Sequence, residues 1–145
     1  MSLTVSLKID LDASAGLCEM ESQIQEAGRE AMQEALKQAI RQSEQQQQIC
    51  PECGSAQGHG EGTRRRVLLT CFGRVEVALR RVRCEECGQR SRPADWCLAA
   101  IKGSNVTPEL GELAALVGCS WPYESAANVL KRLSGVQLSD ERVRN

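Results

Sequence analysis

The sequence predicts an α+β chain in three parts: an N-terminal strand and long helix over 1–48, a cysteine-bearing β-ribbon over 49–100, and a helical segment over 101–145. Three observations carry this. "LTVSLKID" alternates apolar and polar residues, as a half-buried strand does. The stretch that follows places apolar residues at helical spacing for some thirty residues. Two Cys-x-x-Cys-Gly turns, "CPECG" at 50–54 and "CEECG" at 84–88, then bracket two runs rich in β-forming residues.

In the first part, Leu3, Val5, Leu7 and Ile9 alternate with Thr4, Ser6, Lys8 and Asp10. In the helix, Leu17, Met20, Ile24, Ala27, Ala31 or Met32, Ala35 or Leu36, and Ala39 or Ile40 form one stripe. Such a stripe either covers its own domain or a neighbour, or pairs with a second copy. Glutamines 45–48 predict a frayed linker.

In the second part, each Cys-x-x-Cys lets two thiolates face one ion, and the glycine after it permits a left-handed backbone. "RRRVLLTC" and "RVEVALRRVRC", separated by "FG", predict a hairpin that returns the second pair of cysteines to the first. Cys50, Cys53, Cys84 and Cys87 then form a tetrahedral four-sulfur set suited to Zn²⁺, the arrangement of a four-cysteine zinc ribbon. A four-cysteine iron site is the alternative metal; a dithiol redox pair would need one such motif in a βαβ setting. Cys71, Cys97, Cys18 and Cys119 read as small buried apolar residues, and His59, in a Gly-rich loop, as solvated.

Composition sets the limits. The 145 residues are 41% hydrophobic but 3% aromatic, and small units of this kind commonly need a staple such as a metal. No run of 18 apolar residues predicts a membrane span, and "MSLTVSLKID" lacks the features of a secretory signal. A cytoplasmic location follows as an expectation, where eight cysteines at these spacings favour metal over disulfides.

The net charge of −1 hides a segregation. Residues 1–49 are acidic, whereas 63–92 carry nine arginines against Glu76, Glu85 and Glu86. Arg64, Arg65, Arg66, Arg74, Arg80, Arg81 and Arg83 lie on the predicted hairpin. They are either a solvated face that guards a strand edge or phosphate contacts. The dominance of arginine over lysine and the scarcity of acids favour phosphate. Along 74–83, Val75, Val77, Leu79 and Val82 form the apolar set, with an irregularity expected near Arg80–Arg81.

In the third part, Thr107 and Pro108 open a helix with Leu110, Leu113, Ala114 and Val117 inward. "WPYESAANVLKRLSG" predicts a second, with Ala126, Ala127, Val129, Leu130 and Leu133 inward and Gly135 as terminator. Ser139 would cap a third helix with Val143 inward. Helix, helix, Gly-containing turn and helix is the helix-turn-helix layout, shared with any three-helix bundle.

The order and spacing of "EAGRE", "CPECG", "RRRVLLTCFGRVEVALRRVRCEECG", "TPELGELAALVG" and "ESAANVLKRLSGVQLSDERVRN" resemble the N-terminal region of bacterial ISKra-type insertion-sequence transposases, from about Glu19 to Asn145. The resemblance implies a zinc-ribbon and helical region that binds an element's terminal repeats ahead of a DDE catalytic domain. It places the metal ligands at Cys50, Cys53, Cys84 and Cys87, and the helix-turn-helix at roughly 123–145. The family's acidic triad would lie beyond Asn145, and the acidic residues present form no credible two-metal cluster. The expectation is therefore a non-enzymatic, zinc-dependent module for double-stranded DNA. The hairpin arginines, Lys131 and Arg132 would contact DNA, and Arg142 and Arg144 would approach base edges. A protein-interaction subunit is the alternative, in which helix 17–44 pairs with itself or with a full-length transposase.

Overall fold

The structure, a computed structural model, describes residues 2–56 and 58–139. Over these residues it is an α+β fold: three α-helices and a three-stranded antiparallel sheet of order β1-β2-β3. Helix α1 (Leu17–Gln46) precedes β1 (Gly58–Thr70), β2 (Gly73–Cys84) and the two-residue β3 (Arg90–Ser91). Two 3₁₀ turns, Pro93–Asp95 and Ala99–Ile101, lead to α2 (Pro108–Ser120) and α3 (Tyr123–Ser134).

The N-terminal strand expected over 3–9 does not form: the described residues before α1 have no strand partner, and Val5, Leu7 and Leu11 are exposed. Alternation makes a strand only where a sheet edge receives it. Helix α1 runs nearer the cysteines than expected, absorbing Gln45 and Gln46. Its C-terminal half covers the sheet: Ile40 is buried with Leu68, Val75, Val77, Leu79, Ala94, Leu98 and Ile101, and Leu36 packs beside them. The N-terminal half covers less, leaving Leu17 and Ile24 exposed.

The hairpin is the spine. Val75, Val77 and Leu79 alternate inward as predicted, and the alternation breaks at Arg80–Arg81, both exposed. The cause lies on the partner strand. Gly60 pairs with Val82 and Thr63 with Arg80, so Glu61 and Gly62 form a bulge opposite Arg81, and Gly62 supplies φ +93°. The tip is Cys71–Phe72, one residue earlier than the expected "FG", because Thr70 pairs with Gly73. The positive φ falls on Gly73 (+112°), and the Thr70 hydroxyl closes the turn by donating to the Gly73 carbonyl at 2.9 Å.

A second core joins Leu110, Ala114, Val117, Ala126, Leu130, Val136 and Leu138. Thr107 and Pro108 begin α2 and Gly135, at φ +72°, ends α3, as read from the sequence. Leu133 faces solvent instead of the core; Ser134 takes the buried place, its hydroxyl donating to the Leu130 carbonyl at 2.8 Å. This helical pair is fastened to β1 through Leu69, whose N–H donates to Asn105 O (2.6 Å) and whose carbonyl accepts from Thr107 N (2.9 Å). The third helix expected after Ser139, with Val143, lies outside the described residues, as do Arg142 and Arg144.

Candidate metal centre

The hairpin brings the two cysteine turns together. Sulfur atoms of Cys50, Cys53, Cys84 and Cys87 all lie within 4.8 Å of one another. Cys50 Sγ is 3.7 Å from Cys87 Sγ, and Cys53 Sγ is 3.5 Å from Cys84 Sγ. Both are far beyond the roughly 2.05 Å of a disulfide. The two turns are built alike. Gly54 N donates to Cys50 O and Gly88 N to Cys84 O, each at 3.0 Å; Cys50 N donates to Ser55 O (2.8 Å) and Cys84 N to Gln89 O (2.9 Å). Gly54 and Gly88 take φ of +74° and +70°, the left-handed backbone that each turn needs. Cys50 and Cys84 are buried while Cys53 and Cys87 face outward, so each turn offers one inner and one outer sulfur.

The electrostatics are those of four thiols crowded into one volume. Backbone N–H groups of Cys53 and Glu52 draw the Cys50 thiol down to about 7. The Ser55 amide favours the Cys53 thiolate, but the Cys84 thiol, desolvation and the Cys87 and Cys50 thiols outweigh it and push the group up to about 12. At Cys87 the Gln89 amide likewise favours the thiolate, yet desolvation and neighbouring thiols leave the group raised. Four negative charges cannot share this volume alone; a divalent ion inverts that balance. The residues fit one metal ion with four thiolate ligands.

None of the other four cysteines joins the set. Cys71 and Cys97 are half-buried, Cys97 donating to Ala94 O, while Cys18 and Cys119 are exposed, not buried as expected. His59 lies in β1, not in a loop, and is exposed with Nδ1 3.8 Å from Glu85 Oε1.

The arginines do not form one face. Directly paired residues share a face. Arg64 and Arg66, paired with Leu79 and Val77, lie on the α1-covered side, and Arg65, paired with Ala78, on the other with Arg74 and Arg80. Arg66 is committed within the fold: its guanidinium donates to Ile101 O (2.7 Å) and Ser104 O, holding the 101–104 loop against β1. Arg74 lies 3.6 Å from Glu76, and Arg83 4.0 Å from Glu61. Arg64, Arg65, Arg80 and Arg81 are exposed, and their guanidinium groups have no carboxylate partner among the described residues. Lys131 and Arg132 are exposed on the last turn of α3, where the Arg132 carbonyl accepts from Arg29 (2.8 Å).

Three structural residues escaped sequence reading. The Glu44 carboxylate, 3% exposed, accepts the Arg80 N–H at 2.9 Å and ends the ladder gap beside the bulge. Glu61, from that bulge, pairs with Arg90 at 2.9 Å. Gln33 Nε2 donates to Phe72 O at 2.7 Å and sits where a Cβ on Gly73 would fall. A buried acid on an acidic helix leaves no mark in sequence, and neither do hydrogen bonds that join residues 36 or 39 positions apart.

Among the described residues no helix is long and apolar enough to cross a membrane. In comparisons with known proteins, no family model and no curated protein matches the chain.

Proposed function

We propose that this chain is a zinc-stapled module that binds double-stranded DNA, of the kind that recognises the ends of a transposable element. The observation that carries it is the set Arg64, Arg65, Arg80 and Arg81, exposed on the two sides of the hairpin, with guanidinium groups that have no carboxylate partner among the described residues. Cations held at fixed spacing on a rigid ribbon suit a phosphate backbone. The transposase assignment rests on the order and spacing of the sequence motifs, and a cytoplasmic location goes with it.

Zinc is the ion that best suits the sulfurs. Four ligands at about 2.3 Å around a tetrahedral centre stand roughly 3.8 Å apart, close to the 3.7 and 3.5 Å separations here. The role is structural, since four protein ligands leave no open position for substrate.

The test is a salt titration of binding to terminal-repeat and scrambled duplexes. Arg64→Ala with Arg65→Ala, and separately Arg80→Ala with Arg81→Ala, should each flatten log K against log salt by roughly 0.9 for every phosphate no longer neutralised. Arg66→Ala is unsuited to this test because its guanidinium holds the fold. Slopes equal to wild type would make the arginines a solvated face, and absence of duplex binding at low salt would end the proposal. One observation favours a second reading as an interaction subunit: the exposed first turns of α1, with Leu17 74% exposed. That reading requires a mass that rises with concentration.

A further inference from the structure

The chain has two tryptophans, and one of them lines a hollow that shares a wall with a second, basic one. Ala94, Leu98 and Ile101 turn inward from the segment after β3, and Trp96 between them turns out, 55% exposed. It lines a hollow of about 290 Å³ with Pro51, Arg90 and Arg92. Arg92 and Asp95 form a wall common to that hollow and to a second, of about 420 Å³, lined by Arg64, Arg65, Arg66 and Lys102. The two hollows therefore adjoin along that wall, and we read them together as one track from the first cysteine turn past an exposed indole to the root of the arginine run. Among the described residues its single carboxylate is Asp95, already met by Arg92 Nε at 3.1 Å. Arg66 is fastened to carbonyls and Arg65 belongs to the other face of the sheet, so Arg64 and Lys102 are the cations left for a ligand.

A cationic groove with a projecting aromatic face is the pattern by which proteins take single-stranded nucleic acid, phosphates along the cations and a base on the ring. We infer that this track binds a single-stranded segment of nucleic acid, with one base stacked on Trp96 and its phosphates against Lys102 and Arg64. The inference rests on the nucleic-acid reading above and adds to it an unpaired strand and two residues, Trp96 and Lys102. A solvated indole serving only to pad the 3₁₀ segment is the plainer role; it accounts for neither the flanking arginines nor the continuity with the basic hollow.

The probe is an oligo(dT) of about eight nucleotides, within the usual site size, titrated into the metal-loaded full chain and followed by tryptophan fluorescence and anisotropy of a labelled strand. Trp96→Ala should weaken binding roughly 5–150-fold, the range for one stacked base. Trp96→Phe should restore most of it, and Trp121→Phe should change it little. Lys102→Ala, at an exposed position that holds no core, should lower the salt slope by roughly 0.7. Duplex is titrated beside each variant. Oligo(dT) affinity unmoved by Trp96→Ala and a slope unmoved by Lys102→Ala would overturn the inference while leaving duplex binding standing. Wild type that holds duplex but not oligo(dT) at low salt would also overturn it. Oligo(dT) bound through Trp96 with no duplex affinity would support the track and sink the duplex proposal instead.

Discussion

Arg65 and Arg66 are neighbours in sequence and opposites in employment. Arg66 reaches the carbonyls of Ile101 and Ser104, while Arg65 points from the other face of the sheet and has no carboxylate partner among the described residues. Hydrogen bonds from a charged donor contribute more than neutral ones, whereas an exposed unpaired side chain contributes little. Arg66→Ala should thus cost about 1–3 kcal/mol, and Arg65→Ala no more than about 0.5 kcal/mol, by denaturant unfolding of metal-loaded protein. Equal costs would mean that the 101–104 loop does not depend on the guanidinium. Sequence could not separate the two, because nothing in "RRR" marks which arginine a distant loop will meet. The four cysteines were legible for the opposite reason: their short spacing and the glycine after each pair are themselves the geometry of the site.

At the level of elements, the strands and helices that carry their own punctuation were readable. Thr107–Pro108 and Gly135 bound helices where the sequence says they should, and the β2 alternation predicts its inward face as far as Leu79. Elements whose fate depends on a distant partner were not. "LTVSLKID" has a strand's pattern and no sheet edge to join. The α1 stripe continues along the whole helix, yet only its C-terminal half finds the sheet, around Leu36 and Ile40. Ile40→Ala should therefore destabilise the chain by about 2–5 kcal/mol, the range for emptying a packed site, whereas Leu17→Ala should leave the monomer's unfolding midpoint unchanged. If Leu17→Ala lowered that midpoint in a concentration-dependent way, the bare end of α1 would be an interface between copies.

Across the molecule, the hairpin separates two kinds of stabilisation. Thirteen residues of β1 span roughly 40 Å, with the thiols at the open end and the α2–α3 core fastened at Leu69 near the tip. Metal binding energy is folding energy only for what the metal holds. Chelation should then abolish amide protection at 50–60 and 82–91, while protection at Leu69, Thr107 and Leu130 survives in hydrogen exchange. Uniform loss at both ends would show that the ribbon and the helical pair unfold as one cooperative unit. The joint at Leu69 was not legible in the sequence, since a single parallel bridge between Leu69 and Val106 has no periodicity to announce it.

The tip of that hairpin also sets an order of events. Thr70 and Gly73 are only three residues apart, and the Thr70 hydroxyl binds both Gly73 O and Phe72 N, so the turn closes on itself without outside help. Cys53 and Cys84, by contrast, can meet only after thirty intervening residues have been gathered. Loop-closure entropy makes the short contact form first, and each further pair then closes only a small additional loop. The chain thus zips from its tip as far as the bulge in about the microseconds of a hairpin, and the ion arrives last, as a latch on the open end. A cell short of metal would hold a pool of zipped but unlatched chains, ready to mature when the ion returns.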